Sequence, residues 1–75
     1  MKVYAFSENL KRIMHRKGWT CARLATELEV SEPTVCSWRN DKQEPKAFHL
    51  FLMAQLFGMT LDELVTKEER RVHRY

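Results

Sequence analysis

Few residues in this chain could do covalent or metal chemistry, and none stands where such chemistry would need it. The histidines are His15, His49 and His73, and the cysteines are Cys21 and Cys36. No HExxH or CxxC spacing gathers them, so no zinc-type ligand set is expected. The sequence has neither a Gly-rich phosphate loop nor a GxSxG nucleophile turn. A shaped catalytic pocket is also hard to build in so short a chain. No enzymatic reaction, metal or cofactor is therefore expected. A different chemistry lies between Cys21 and Asn40. There Ser31, Glu32, Thr34, Ser37 and Arg39 alternate with Val35 and Trp38. Hydrogen-bonding groups can face outward from a helix whose other side is apolar.

Helices must position that run. Apolar residues follow helical spacing from Phe6 onward, with Phe6, Leu10, Ile13 and Met14 in one stripe. Ser7 is the expected N-cap, and Gly18 follows two basic residues that suit a helix C-terminus, which predicts a first helix over 7–17. Thr20 caps a second helix over 21–28, with Trp19 set to pack on Leu24. Ser31 caps a third helix to about residue 39, and Pro33 sits in its first turn, where no backbone donor is missed. A loop over 40–45 leads to a fourth helix over 46–57. That helix is apolar on more than one side, so it is expected to be the central packing helix, with His49 on an exposed face. Gly58 ends it, and a capping box from Thr60 to Glu63 opens a short fifth helix through Val65.

Five short helices with short connections predict an all-α domain over 6–65. Residues 2–5 alternate polar and apolar. They read as a disordered start, or as a short strand or arm that another copy could pair. Residues 66–75 are mostly charged and read as a frayed helix or basic tail.

Composition agrees. With 75 residues, 44% of them hydrophobic and 31% charged, the chain suits one small folded domain and not a disordered segment. No apolar run approaches the ~18 residues of a membrane helix, no signal pattern opens the chain, and two cysteines are too few for a secreted disulfide framework. A cytoplasmic protein with no membrane association is expected. Net charge is +3 and the pI is near 9.1. Residues 1–65 carry nine basic against eight acidic side chains, so any nucleic-acid surface must come from gathering the basic ones on one face.

The unit from Cys21 to Asn40 has the internal pattern of a helix-turn-helix. Ala25 is small where two helices approach, Val30 plugs the turn, and Val35 and Trp38 face back into the core. Around it stand Gly18-Trp19-Thr20, Arg23-Leu24-Ala25, Val35-Cys36-Ser37-Trp38-Arg39-Asn40 and the run from Met53 to Leu64. In this order and spacing the chain resembles the Cro/lambda-repressor type of regulator, the xenobiotic-response-element family, over roughly residues 6–65. The resemblance implies a five-helix lambda-repressor-like bundle whose third helix enters the major groove of double-stranded DNA. Carried over by position, it implies Glu32, Pro33 and Ser37 toward the bases and Thr34 toward a base edge or phosphate, with Ser31 also among the DNA-binding residues. It further implies phosphate contacts from Cys21, Arg39, Asn40 and Lys42, and Lys46 near the backbone or minor groove.

Physical chemistry gives these places meaning. Helix N-termini offer N–H groups to phosphates, and lysine and arginine displace counterions. A glutamate can accept from cytosine N4, and Pro33 can offer only apolar contact, for example to a thymine methyl. Two departures from the family pattern stand out. The turn position usually held by glycine is Glu29, so a slightly different turn is expected. An arginine–glutamate pair common in relatives is replaced by Met14 and Arg39, which leaves Arg39 free to meet a phosphate.

The expected function is a sequence-specific transcriptional regulator, a repressor acting as a homodimer on a two-fold operator, of the phage-regulator, restriction–modification-controller or antitoxin kind. Nothing after Val65 is long enough for a sensing domain, so regulation is expected from dimerisation, concentration or a protein partner. The alternative is a protein-interaction module on the same fold, which the acidic Glu29, Glu32 and Glu44 near the supposed DNA face favour.

Overall fold

Caps set the helix boundaries. The computed structural model describes residues 2–68, with side chains for 4–67. Its order is β1 (Lys2–Tyr4), α1 (Phe6–Lys17), α2 (Cys21–Leu28), α3 (Glu32–Arg39), α4 (Ala47–Phe57), α5 (Leu61–Val65) and β2 (Thr66–Glu68). Thr20 Oγ1 accepts from the Arg23 N–H at 3.1 Å, and Ser31 Oγ accepts from that of Thr34 at 3.3 Å. At α5 the Thr60 hydroxyl accepts from the Glu63 N–H at 3.0 Å, while the Glu63 carboxylate accepts from that of Thr60 at 2.8 Å. These three starts fall where the sequence places them.

The start of α1 differs. It begins at Phe6, and Ala5 at the cap position makes no side-chain bond. Ser7 lies inside the first turn, where its hydroxyl shares one proton between the Trp38 carbonyl at 3.0 Å and Asp41 Oδ1 at 3.1 Å. That proton ties α1 to the far end of α3, so the serine serves tertiary structure rather than a cap.

Every helix sends at least one residue into a single core. Leu10, Leu24, Val35, Met53 and Leu64 are fully buried, one from each helix, and Trp38 is 1% exposed. The expectation of a central α4 is not met. It buries only Met53, Ala54 and Phe57, whereas Phe48 and Phe51 are 58% and 56% exposed. The first three helices already fill much of the space around Trp38, so α4 buries residues fully only in its C-terminal half, while Leu50 of its first half packs on the core partly buried. His49 is likewise not on an exposed face. Its ring rests 5.2 Å from Trp38 and 4.1 Å from Phe48. Trp19 sets its ring 5.8 Å from Phe57 and beneath the Arg23 guanidinium at 4.3 Å.

The first residues form a strand whose partner is in the same chain. β1 pairs antiparallel with β2, Lys2 opposite Glu68, Val3 opposite Lys67 and Tyr4 opposite Thr66. Residues 69–75 of the expected tail lie outside the described residues. The buried side chain of Asn9 holds this ribbon to the helices. Its amide donates to the carbonyls of Leu64 at 2.8 Å and Thr66 at 2.9 Å, and its Oδ1 accepts from Arg12 at 2.7 Å. A buried amide left without such partners would cost about 1–3 kcal/mol, so α5 and β2 are fixed to α1 by hydrogen bonding as well as by packing.

The turn between α2 and α3 keeps the conformation that glycine ordinarily supplies. Glu29 has φ 58° and ψ 43°, in the left-handed region, and Val30 donates to the Ala25 carbonyl at 3.0 Å. A side chain there costs about 1 kcal/mol or more. Glu29→Gly removes that strain, and the thermal midpoint is expected to rise by about 4–8 °C, read by a circular-dichroism melt.

Candidate nucleic-acid interface

The inner face of α3 decides what its outer face presents. Val35 and Trp38 are buried one turn apart, so Pro33 and Ser37 project from the opposite side. Ser31, Glu32 and Pro33 are exposed, while Thr34, Ser37 and Arg39 are half-buried. The Ser31 and Thr34 hydroxyls lie 2.6 Å apart and bond to each other. This local pairing fixes their orientation at the head of α3 and leaves lone pairs available to a donor.

The loop after α3 is folded back onto its last turn. Asn40 donates its backbone N–H to the Cys36 carbonyl at 2.9 Å, Asp41 to Trp38 at 3.2 Å and Lys42 to Ser37 at 2.8 Å. Asn40 and Lys42 are exposed, so two polar side chains stand on a braced support. Lys46, also exposed, occupies the cap position of α4. Ahead of it, Tyr4 donates its hydroxyl to Glu44 at 2.9 Å. Burial, then this bond and the nearby Glu44 and Asp41 charges, push the phenol up to about 12.

Arg39 turns toward α1. It lines an open depression with Lys11, Met14, His15 and Trp19. Three side chains with basic nitrogens, from α1 and α3, thus surround one hollow. Sequence reading singled out Arg39 alone. Lys11 and His15 stand four apart on the exposed surface of α1, beside Met14 at the margin of the apolar stripe, and that spacing could have exposed them.

Cys21 departs from the expected set. Its side chain is 5% exposed and belongs to the core. No surface contact is open to that thiol, which leaves only the backbone N–H at the head of α2. The residue is small and apolar enough to pack inward where a longer polar chain would reach out. Burial pushes the thiol up to about 11, a hydrogen bond to Cys36 adds to the rise, and the Arg39 charge opposes it. Cys36 is half-buried on α3.

Acidic groups share the surface. Glu29 and Glu32 are exposed beside the turn, and Glu27 is held by Arg23 at 3.4 Å. Among the described residues no cluster of three or more candidate ligands could hold a metal ion, and no helix is long and apolar enough to cross a membrane.

The pattern of the helix-turn-helix family matches residues 10–64. The chain is 33% identical over 64 residues to the HTH-type transcriptional activator BcrR of Enterococcus faecalis, a match covering 85% of this chain and 31% of that protein. Its fold superposes on a transcriptional regulator from Listeria innocua with a TM-score of 0.81 and 31% identity, covering 83% of this chain and 58% of that one. It also superposes on hydroxypropylphosphonic acid epoxidase from S. wedmorenis, with a TM-score of 0.71 and 28% identity over 80% of this chain and 32% of the enzyme. That likeness covers the enzyme's helix-turn-helix region only.

Burial and the raised Cys21 thiol set the order of cysteine reactivity. In native protein treated with iodoacetamide at mildly alkaline pH, Cys36 is expected to be alkylated well before Cys21, with peptide mass mapping as the readout.

Proposed function

Because the chain belongs to the helix-turn-helix family, of the Cro/C1 type, we propose that it is the DNA-binding part of a transcriptional regulator that acts as a homodimer on a two-fold operator. The carrying observation is the exposed leading end of α3, with Glu32 and Pro33 in solvent while Val35 and Trp38 are buried behind them.

In this reading α3 lies in the major groove with its first turn toward base edges. Glu32 accepts from cytosine N4, and Pro33 meets an apolar base edge. Ser37 faces the bases one turn on. Ser31 and Thr34 complete the head of the helix, Thr34 against a base edge or phosphate. Asn40 and Lys42 hold phosphate from the braced loop, and Lys46 approaches the backbone or minor groove. Arg39, with Lys11 and His15, meets a second stretch of phosphate, and the head of α2 contributes the backbone N–H of Cys21. Near-balanced charge makes local gathering decisive. Glu32 is repelled by phosphate unless it finds its donor, so it acts chiefly against wrong bases.

A two-fold operator needs a paired protein. The uncovered stripe of α4, Phe48, Phe51, Leu52 and Leu56, is the surface this reading assigns to the second copy. Contiguous exposed apolar area of this kind marks interaction sites on small proteins.

Sites are selected from random duplex DNA, and binding to the winner is measured across salt. Lys42→Ala and Lys46→Ala are each expected to lower the salt slope by about 0.9. Indifference to DNA at low salt overturns the reading and leaves a protein-interaction module. Glu32→Ala is expected to flatten preference at one base position by about 1–3 kcal/mol, read from binding to a randomised operator library. For the dimer, Phe51→Glu is expected to give a folded monomer in sedimentation with weakened operator binding.

A further inference from the structure

The two ends of α4 lie beside charges of opposite sign. Phe48, Leu52 and Leu56 recur every fourth residue, so they form one exposed apolar line along the helix. This line is one wall of a groove whose other wall is Glu27, Leu28 and Glu29, at the end of α2. The start of α2 lies at the other end of α4, because the Trp19 ring just before it rests 5.8 Å from Phe57. There Arg16 and Lys17 border a hollow with Ile13, Phe57 and Met59. Arg23 already holds Glu27 at 3.4 Å. Glu29, Arg16 and Lys17 are exposed and have no ion-pair partner among the described residues.

We propose that a second copy covers this face with its own α4 running antiparallel, so that Arg16 and Lys17 of each copy face Glu29 of the other. The inference rests on the homodimer proposed above and adds its orientation and its charge pairs. Phe48 and Phe57 stand nine residues apart in the chain, about 14 Å along the helix axis. A two-fold axis at Leu52 exchanges the ends of α4, so the acidic end of one copy lies over the basic end of the other, twice.

The apolar line favours the same arrangement. Under that axis Leu52 meets its own copy, and Phe48 meets the partner subunit's Leu56, so each large ring lies opposite a smaller side chain. A parallel pair would set ring on ring, carboxylate on carboxylate and cation on cation, and like charges across an interface are costly. It would also align the two helix dipoles, which the antiparallel pair opposes favourably. The apolar line thus supplies affinity, while the charged ends fix register and reject a partner without the matching charges.

The test measures self-association by sedimentation without DNA. Wild type is compared with Glu29→Lys, with the pair Arg16→Glu and Lys17→Glu, and with a chain carrying all three changes. All three side chains are exposed, so each variant is expected to fold, as checked by circular dichroism. At low salt the first two variants should each self-associate about tenfold more weakly than wild type, because attraction becomes repulsion at both ends. Mixed together, those two should pair with each other as tightly as wild type does. The triple variant should recover self-association and refuse wild type as a partner. High salt should bring all four chains to one affinity. Wild type that stays monomeric overturns this pairing and the proposed homodimer together. Charge variants that self-associate like wild type overturn the antiparallel pairing alone, and so does a triple variant that pairs freely with wild type. Wild type that pairs as expected but ignores DNA counts against the regulatory reading and not against the interface.

Discussion

The burial of Trp38 is the constraint on which the rest depends. Its indole lies in the core, its carbonyl accepts from Ser7 on α1 and from the Asp41 N–H, and the His49 ring of α4 rests on it. Rotating α3 about its axis would bring this residue out of the core, and truncating a buried tryptophan costs about 3–5 kcal/mol. That is most of the stability a domain of this size has. The helix is therefore locked in azimuth, and the residues it shows to solvent follow from those it hides. The loop carrying Asn40 and Lys42 inherits the same lock, because its backbone bonds run to the last turn of α3.

Around this anchor the molecule accepts local costs where tertiary structure repays them. Glu29 holds a left-handed turn between two helices that bury Ala25 and Val35 against one core. Asn9 is buried although polar, because its amide ends α5 and starts β2. Ser7 gives up a capping role for a bond across the domain. In each case a local preference yields to an interaction between elements distant in sequence, as expected where the core is small and each hydrogen bond is a sizeable part of the total.

The helix α4 shows how an apolar sequence can mislead. Apolar residues around most of a helix indicate that much of its surface will be covered, without saying by what. A central position within the chain is one answer, and here only Met53, Ala54 and Phe57 take it. The remaining stripe, Phe48, Phe51, Leu52 and Leu56, faces outward. Hydrophobic periodicity treats burial inside a domain and burial between molecules alike, because the transfer of apolar surface from water has the same sign in both.

By itself the sequence determined the five helices, three of their caps, the place of the turn between α2 and α3 though not its glycine-like conformation at Glu29, and the inward direction of Val35 and Trp38. All are set by residues within a few positions of one another, through periodicity, capping and backbone preference. Tertiary structure alone decided the pairing of β1 with β2, the use of Asn9 and Ser7, the meeting of Arg39 with Lys11 and His15 around one hollow, and the open face of α4. These are contacts between residues far apart in the chain, and no local pattern encodes them, because which surfaces meet depends on how all five helices share one limited core.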